Sequence, residues 1–228
     1  MISTILMICA AIAPAIVLAS IIIRRDEGEP VPRKWLIGSA ASGVVAALMA
    51  VAAVMLTLPD FEVESFGGAM VDTFCRAAIP EECFKLLLLF LVAKCCERFN
   101  EVFDGIIYAV CLGMGFAAFE NIVYIANAGN GWIFADIMRV FLSMPGHYFF
   151  GIIMGAFFSI SWFDIRKRTL NAFLALALPV MAHGIFDTIL LAAPVVEYGG
   201  LLLLIAFFFF FKHIRLYAAS LVDSRLAL

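Results

Sequence analysis

The chain has 228 residues, 65% of them hydrophobic and only 14% charged, with a mean hydropathy of +1.08. No soluble domain of this size buries that much apolar surface, so the composition describes a polytopic membrane protein. The net charge of -3, with its bases confined mostly to the breaks between apolar runs, excludes a basic face for nucleic acid.

Taking a span as about 20 apolar residues, the sequence predicts seven, near 2–23, 35–57, 71–94, 104–126, 133–162, 170–193 and 198–216. The fold class expected is all-α, a single integral membrane domain over 1–228 with a polar turn at 24–34. The first run is followed directly by Arg24 and Arg25 and has no basic segment before it, so it reads as a retained span rather than a cleaved signal. Bases alternate between breaks. Arg24, Arg25, Arg33 and Lys34 occupy the first, Lys94 and Arg98 the third, Arg166 to Arg168 the fifth, and Lys212, Arg215 and Arg225 the tail. The positive-inside rule then places the N-terminus outside and the C-terminus in the cytoplasm of a multi-pass cell-membrane protein. The exceptions are Arg76, Lys85 and Arg139, inside or near the outer ends of the third and fifth spans. Six cysteines lie in or beside apolar runs without the spacing of a disulfide framework or a zinc knuckle, and read as packing residues.

The third span carries Glu81, Glu82 and Lys85 directly ahead of an unbroken apolar run, where each charge costs at least about 2.5 to 3.5 kcal/mol. Helical spacing lets Glu81 pair with Lys85 four residues on, while Glu82 points about 100° away. Pro80 predicts a kink that frees carbonyls and admits water. In the fourth span Gly113, Ala117 and Asn121 form a stripe of small residues fit for close helix contact, with Phe116 and Glu120 on the adjacent face. The fifth span carries Arg139, Ser143 and His147 at intervals of four, and Pro145-Gly146 predicts a non-helical or wet spot there. The sixth holds His183 and Asp187 one turn apart, so that the carboxylate can orient the ring. His213, beside Lys212, reads as a helix-end contact.

Each block alone is a plain intramembrane pair or packing contact. Counted at about 1.5 Å per residue, however, Glu81, Glu82, Glu120, His147, His183 and Asp187 all fall between mid-bilayer and the outer third. A buried set of acids and histidines at one depth suits acid–base chemistry or a proton pathway.

In order and spacing, Glu81-Glu82-x-x-Lys85, Phe116-x-x-x-Glu120, His147 and His183-x-x-x-Asp187 resemble the PrsW family of intramembrane proteases, within the superfamily of CaaX prenyl endopeptidases. Prenyl endopeptidases carry histidine in the second block and usually asparagine in the last, where this chain has Glu120 and Asp187, which favours the PrsW branch. The resemblance implies a catalytic core over 71–193 and a metal-independent glutamic protease with no cofactor. It also implies a single-pass substrate resembling an anti-sigma factor, cut near the outer leaflet to begin regulated proteolysis. In that reading Glu81 or Glu82 acts with His147 to activate water, with a slight preference for Glu81. His183 or Asn121 stabilises the oxyanion, Glu120 helps hold the water, and Lys85 and Asp187 orient their neighbours. Arg139 and Phe116 support them. The competing readings are a metal-dependent membrane protease, a transporter or proton relay, and a scaffold that uses the cluster only for helix assembly.

Overall fold

The computed structural model describes residues 2–26, 29–59, 61, 64–131, 133, 137 and 139–192. Its helices are α1 (Ile2–Ile23), α2 (Arg33–Thr57), α3 (Phe66–Thr73), α4 (Ile79–Cys95), α5 (Val102–Asn127), α6 (Met144–Phe163) and α7 (Arg168–Ala192). No strand occurs among the described residues. Five helical stretches are long and apolar enough to cross a membrane: α1, α2, α5, α6 with the turn before it, and α7 with the turn before it. The predicted third span is the continuous helical stretch from α3 to α4, whose six charged residues lower its hydropathy. The predicted seventh span and His213 lie outside the described residues.

α5 is the axis of the bundle. Hydrophobic on every side, it packs against α1, α2, α4 and α6, as a helix without a polar face must in order to be buried. α7 closes the site from the other side, against α3, α4 and α6. Asp104 anchors the start of α5 by accepting from the backbone N–H groups of Asn100 and Glu101 at 3.0 and 2.9 Å. At the same end, Arg98 bonds Glu29 at 3.0 Å. Both side chains are exposed, so the pair adds little stability, but it puts the α1–α2 and α4–α5 connections on one side, as the alternating bases require.

The helices approach closely because backbone faces backbone. Gly105 and Gly155 meet where α5 crosses α6, and a Cβ at Gly155 would overlap the Gly105 carbonyl oxygen. Lipid supplies no hydrophobic drive for helix pairing, so such close packing is what holds the crossing together. Gly155→Ala is expected to destabilise the protein by about 1 to 3 kcal/mol, the usual cost of overpacking. Gly38→Ala, at a site with nothing within 4 Å of the new methyl, is the control. Equal thermal midpoints for the two variants in detergent would contradict this account of the crossing.

Two irregular turns stand directly ahead of the prolines. Residues Phe74–Ala78 and Arg139–Ser143 are π-helical, and each runs into a helix with proline in its first turn, Pro80 in α4 and Pro145 in α6. A proline ring clashes with the carbonyl four residues back, here that of Arg76 or Phe141. Widening the turn by one residue moves that carbonyl aside while the chain stays helical, and the Ile79 N–H accordingly bonds the Phe74 carbonyl five residues back. The non-helical spot expected at Pro145-Gly146 is therefore corrected. That dipeptide is helical, and the irregularity lies in the preceding turn, a form common at functional sites.

Candidate active site

The first turn of α4 presents Glu81 and Glu82, with Lys85 one turn on. Glu82 is fully buried, and its Oε1 accepts from Lys85 Nζ at 2.8 Å and faces His183 Nδ1 at 2.9 Å. Glu81 is less enclosed. Its Oε2 lies 3.3 Å from Lys85 Nζ and 3.9 Å from His183 Nε2. Lys85 thus reaches Glu81, as the four-residue spacing allows, yet its shorter bond is to Glu82. The ammonium also sits 3.8 Å from the centre of the Phe116 ring of α5, a cation–π contact inside the bundle.

His147 enters from the first turns of α6, directly after the second π-helical turn. Its Nδ1 lies 3.2 Å from Lys85 Nζ, and its Nε2 lies 2.9 Å from Glu120 Oε2. An ammonium can only donate, so the tautomer that satisfies both contacts carries its proton on Nε2 and gives it to Glu120. Arg139 holds the same carboxylate oxygen at 2.7 Å, donates to Asn121 Oδ1 at 2.8 Å and stacks on Tyr124 at 4.1 Å. Glu120 grips His147 and Arg139. Asn121 engages its amide with Arg139 and with the Ala11 carbonyl of α1.

α7 contributes His183, whose Nε2 lies 3.1 Å from Asp187 Oδ2. With Nδ1 on Glu82, the ring bridges two carboxylates, an arrangement that an imidazolium with two N–H donors satisfies. Phe150 stacks on its face at 4.8 Å. Beside it the Phe74 ring packs where Gly184 has no side chain, and Thr73 and Thr188 share a 2.7 Å hydrogen bond. These contacts tie the first π-helical turn to α7 next to the histidine.

The helices therefore bring Glu81, Glu82, Lys85, Glu120, Arg139, His147, His183 and Asp187 into one connected network. Of the three bases that break the alternating pattern, Lys85 and Arg139 join it, while Arg76 pairs with Asp72 at 3.4 Å. Sequence reasoning missed Tyr124 and Phe150, and it missed that Phe116 lies beneath the lysine. No spacing rule signals a ring contact made across helices.

A family model described as PrsW family intramembrane metalloprotease matches residues 31–213. The chain belongs to the PrsW family. It is similar to the protease PrsW of Oceanobacillus iheyensis, 32% identical over 182 residues that cover 79% of this chain and 81% of the relative. With the protease PrsW of Bacillus subtilis it shares 31% identity over 187 residues, 81% of this chain and 83% of the relative. With that of Clostridioides difficile it shares 36% over 138 residues, 59% and 56%. No solved structure matches the chain. Family membership agrees with the apolar helices in making this a multi-pass membrane protein.

The family description names a metal. Glu81, Glu82, His147 and His183 bring ligand atoms within 4.8 Å of one another, and Glu82 Oε2 is buried without a hydrogen-bond partner among the described residues. Glu120 and Asp187 back the two histidines as outer partners of metal ligands do. The position among the donors is taken, however. Lys85 Nζ lies 2.8, 3.3 and 3.2 Å from Glu82, Glu81 and His147. A zinc ion needs the same atoms at about 2.0 to 2.2 Å, so with the ammonium in place this set does not fit one.

Proposed function

We propose that the chain is a metal-independent glutamic protease that hydrolyses a peptide bond of a single-pass membrane protein, of the anti-sigma-factor kind, near the outer leaflet. The observation that carries this reading is the buried network itself: an acidic pair whose counter-cation is a lysine, faced by two histidines that are each held from behind by a second carboxylate. Glu81 is the general base, because Glu82 is fully enclosed and commits Oε1 to both Lys85 and His183.

Glu81 takes a proton from water as the hydroxide oxygen bonds to the scissile carbonyl carbon. It then delivers that proton to the amine as the C–N bond breaks. His183, held between Glu82 and Asp187 on the Glu81 side of the network, stands as the positive charge beside the developing oxyanion in preference to Asn121. Lys85 hydrogen-bonds both acids, and Glu120 with Arg139 sets the angle of His147. The substrate class is the one that the resemblance to PrsW implies.

The test is incubation of detergent-purified protein with a single-pass membrane substrate, with and without a strong chelator, alongside elemental analysis. Cleavage is expected to persist in chelator, in a protein carrying far less than one metal per chain. Stoichiometric metal together with activity lost to chelator and restored by the ion would replace this mechanism with a metal-dependent one.

A further inference from the structure

A cavity of about 700 Å³ opens between α4, α6 and α7, outside the catalytic network. Leu87 and Phe90 of α4, Trp162 of α6 and Ala172 of α7 line it, and Cys83, the residue after Glu82, also faces it. Arg168 is the single charged lining residue. The hydroxyl of Ser161, another lining residue, donates at 2.7 Å to the Phe158 carbonyl of its own helix, so the interior asks for an apolar ligand. Arg168 Nε donates to the Ser161 carbonyl at 3.2 Å. That uses one of the five guanidinium N–H donors and tethers the charge beside the cavity. Arg166 and Lys167 precede it, and the one acid of that turn, Asp164, accepts from the Arg166 backbone N–H at 3.0 Å.

We propose that this cavity binds an acyl chain of an anionic glycerophospholipid whose phosphate sits on Arg168. An apolar slot with a basic residue beside it, between membrane helices, is the chemistry that selects an anionic headgroup and one of its tails. Charge separates this occupant from a substrate helix, because an apolar helix brings no anion to Arg168 and a lipid phosphate does. The site is independent of the proteolytic reading, because none of the residues that define it belongs to the catalytic network.

The test uses the full chain with Trp35→Phe and Trp132→Phe, which leaves Trp162 as the sole tryptophan. In detergent it is titrated with phosphatidylglycerol or phosphatidylcholine bearing brominated acyl chains, which quench tryptophan on contact. Saturable quenching is expected, half-complete at an at least about fivefold lower concentration of the anionic lipid, the effect of one basic contact. Arg168→Gln should erase that preference, and Ala172→Phe should abolish the saturable phase by filling the slot, with gel filtration reporting on the fold. If Ala172→Phe does not fold, the Arg168→Gln comparison decides. Equal quenching by both lipids, or a preference unchanged in Arg168→Gln, would reduce the site to ordinary boundary lipid and overturn the proposal. So would displacement of the lipid by an equimolar transmembrane segment of the substrate, which would reassign the cavity to substrate.

Discussion

Glu81→Gln is expected to lower cleavage of a single-pass substrate by at least about 10²-fold, the lower end of what a positioned general base contributes, and to leave the protein folded. Glutamine keeps the shape and a hydrogen-bonding oxygen but cannot take the proton. The loss in stability should be small, because Glu81 lies farther from Lys85 than Glu82 does and from His183 as well. Glu82→Gln should behave differently. It removes the charged acceptor shared by Lys85 and His183, so activity and thermal midpoint should fall together. The pair of variants separates the roles of two adjacent acids. A Glu81→Gln enzyme retaining more than about a tenth of wild-type cleavage, beside an inactive but fully stable Glu82→Gln enzyme, would move the base to Glu82.

Lys85→Met should cost about 3 to 5 kcal/mol of stability, the range for breaking a buried ion pair from one side, and should also abolish cleavage. The ammonium bonds two carboxylates and an imidazole and rests on the Phe116 ring, with only 3% of its surface exposed. Methionine fills most of the volume and leaves Glu82 with His183 as its one remaining partner among the described residues. The double variant Lys85→Met with Glu82→Gln should recover part of the lost stability, because the Glu82 charge is then gone, while remaining inactive. Thermal unfolding in detergent reads all three variants. Additive losses in the double variant would show that the two side chains are not coupled, contrary to the 2.8 Å bond between them.

The polar cluster was legible in the sequence because charge is costly in an apolar run. Glu81, Glu82, Glu120, His147, His183 and Asp187 stand out against their neighbours, counting residues along each helix predicts one depth for them, and the structure joins them in one network. The Gly113-Ala117-Asn121 stripe was legible for the same reason, since small residues in a lipid-facing sequence mark a helix contact. A Cβ at Gly113 would stand 3.1 Å from the His147 carbonyl oxygen, so that stripe does set the approach of α6. The partner pair Gly151 and Gly155 was equally visible in the sequence but carried no polar residue to draw attention.

What the sequence determined by itself is the class of protein and its helical segments, because hydropathy, helical spacing and the cost of buried charge act along one chain segment at a time. What only the tertiary structure decided is who holds whom. Spacing directs Lys85 to Glu81 and turns Glu82 about 100° away; in the bundle His147 from α6 and the Phe116 ring from α5 lie against the ammonium, and its shortest bond is to Glu82. Asn121 can serve an oxyanion or an arginine, and Arg139, carried in by a π-helical turn that proline sterics produce, takes it. These choices rest on contacts between helices distant in sequence, where each side chain has several allowed partners and packing selects one.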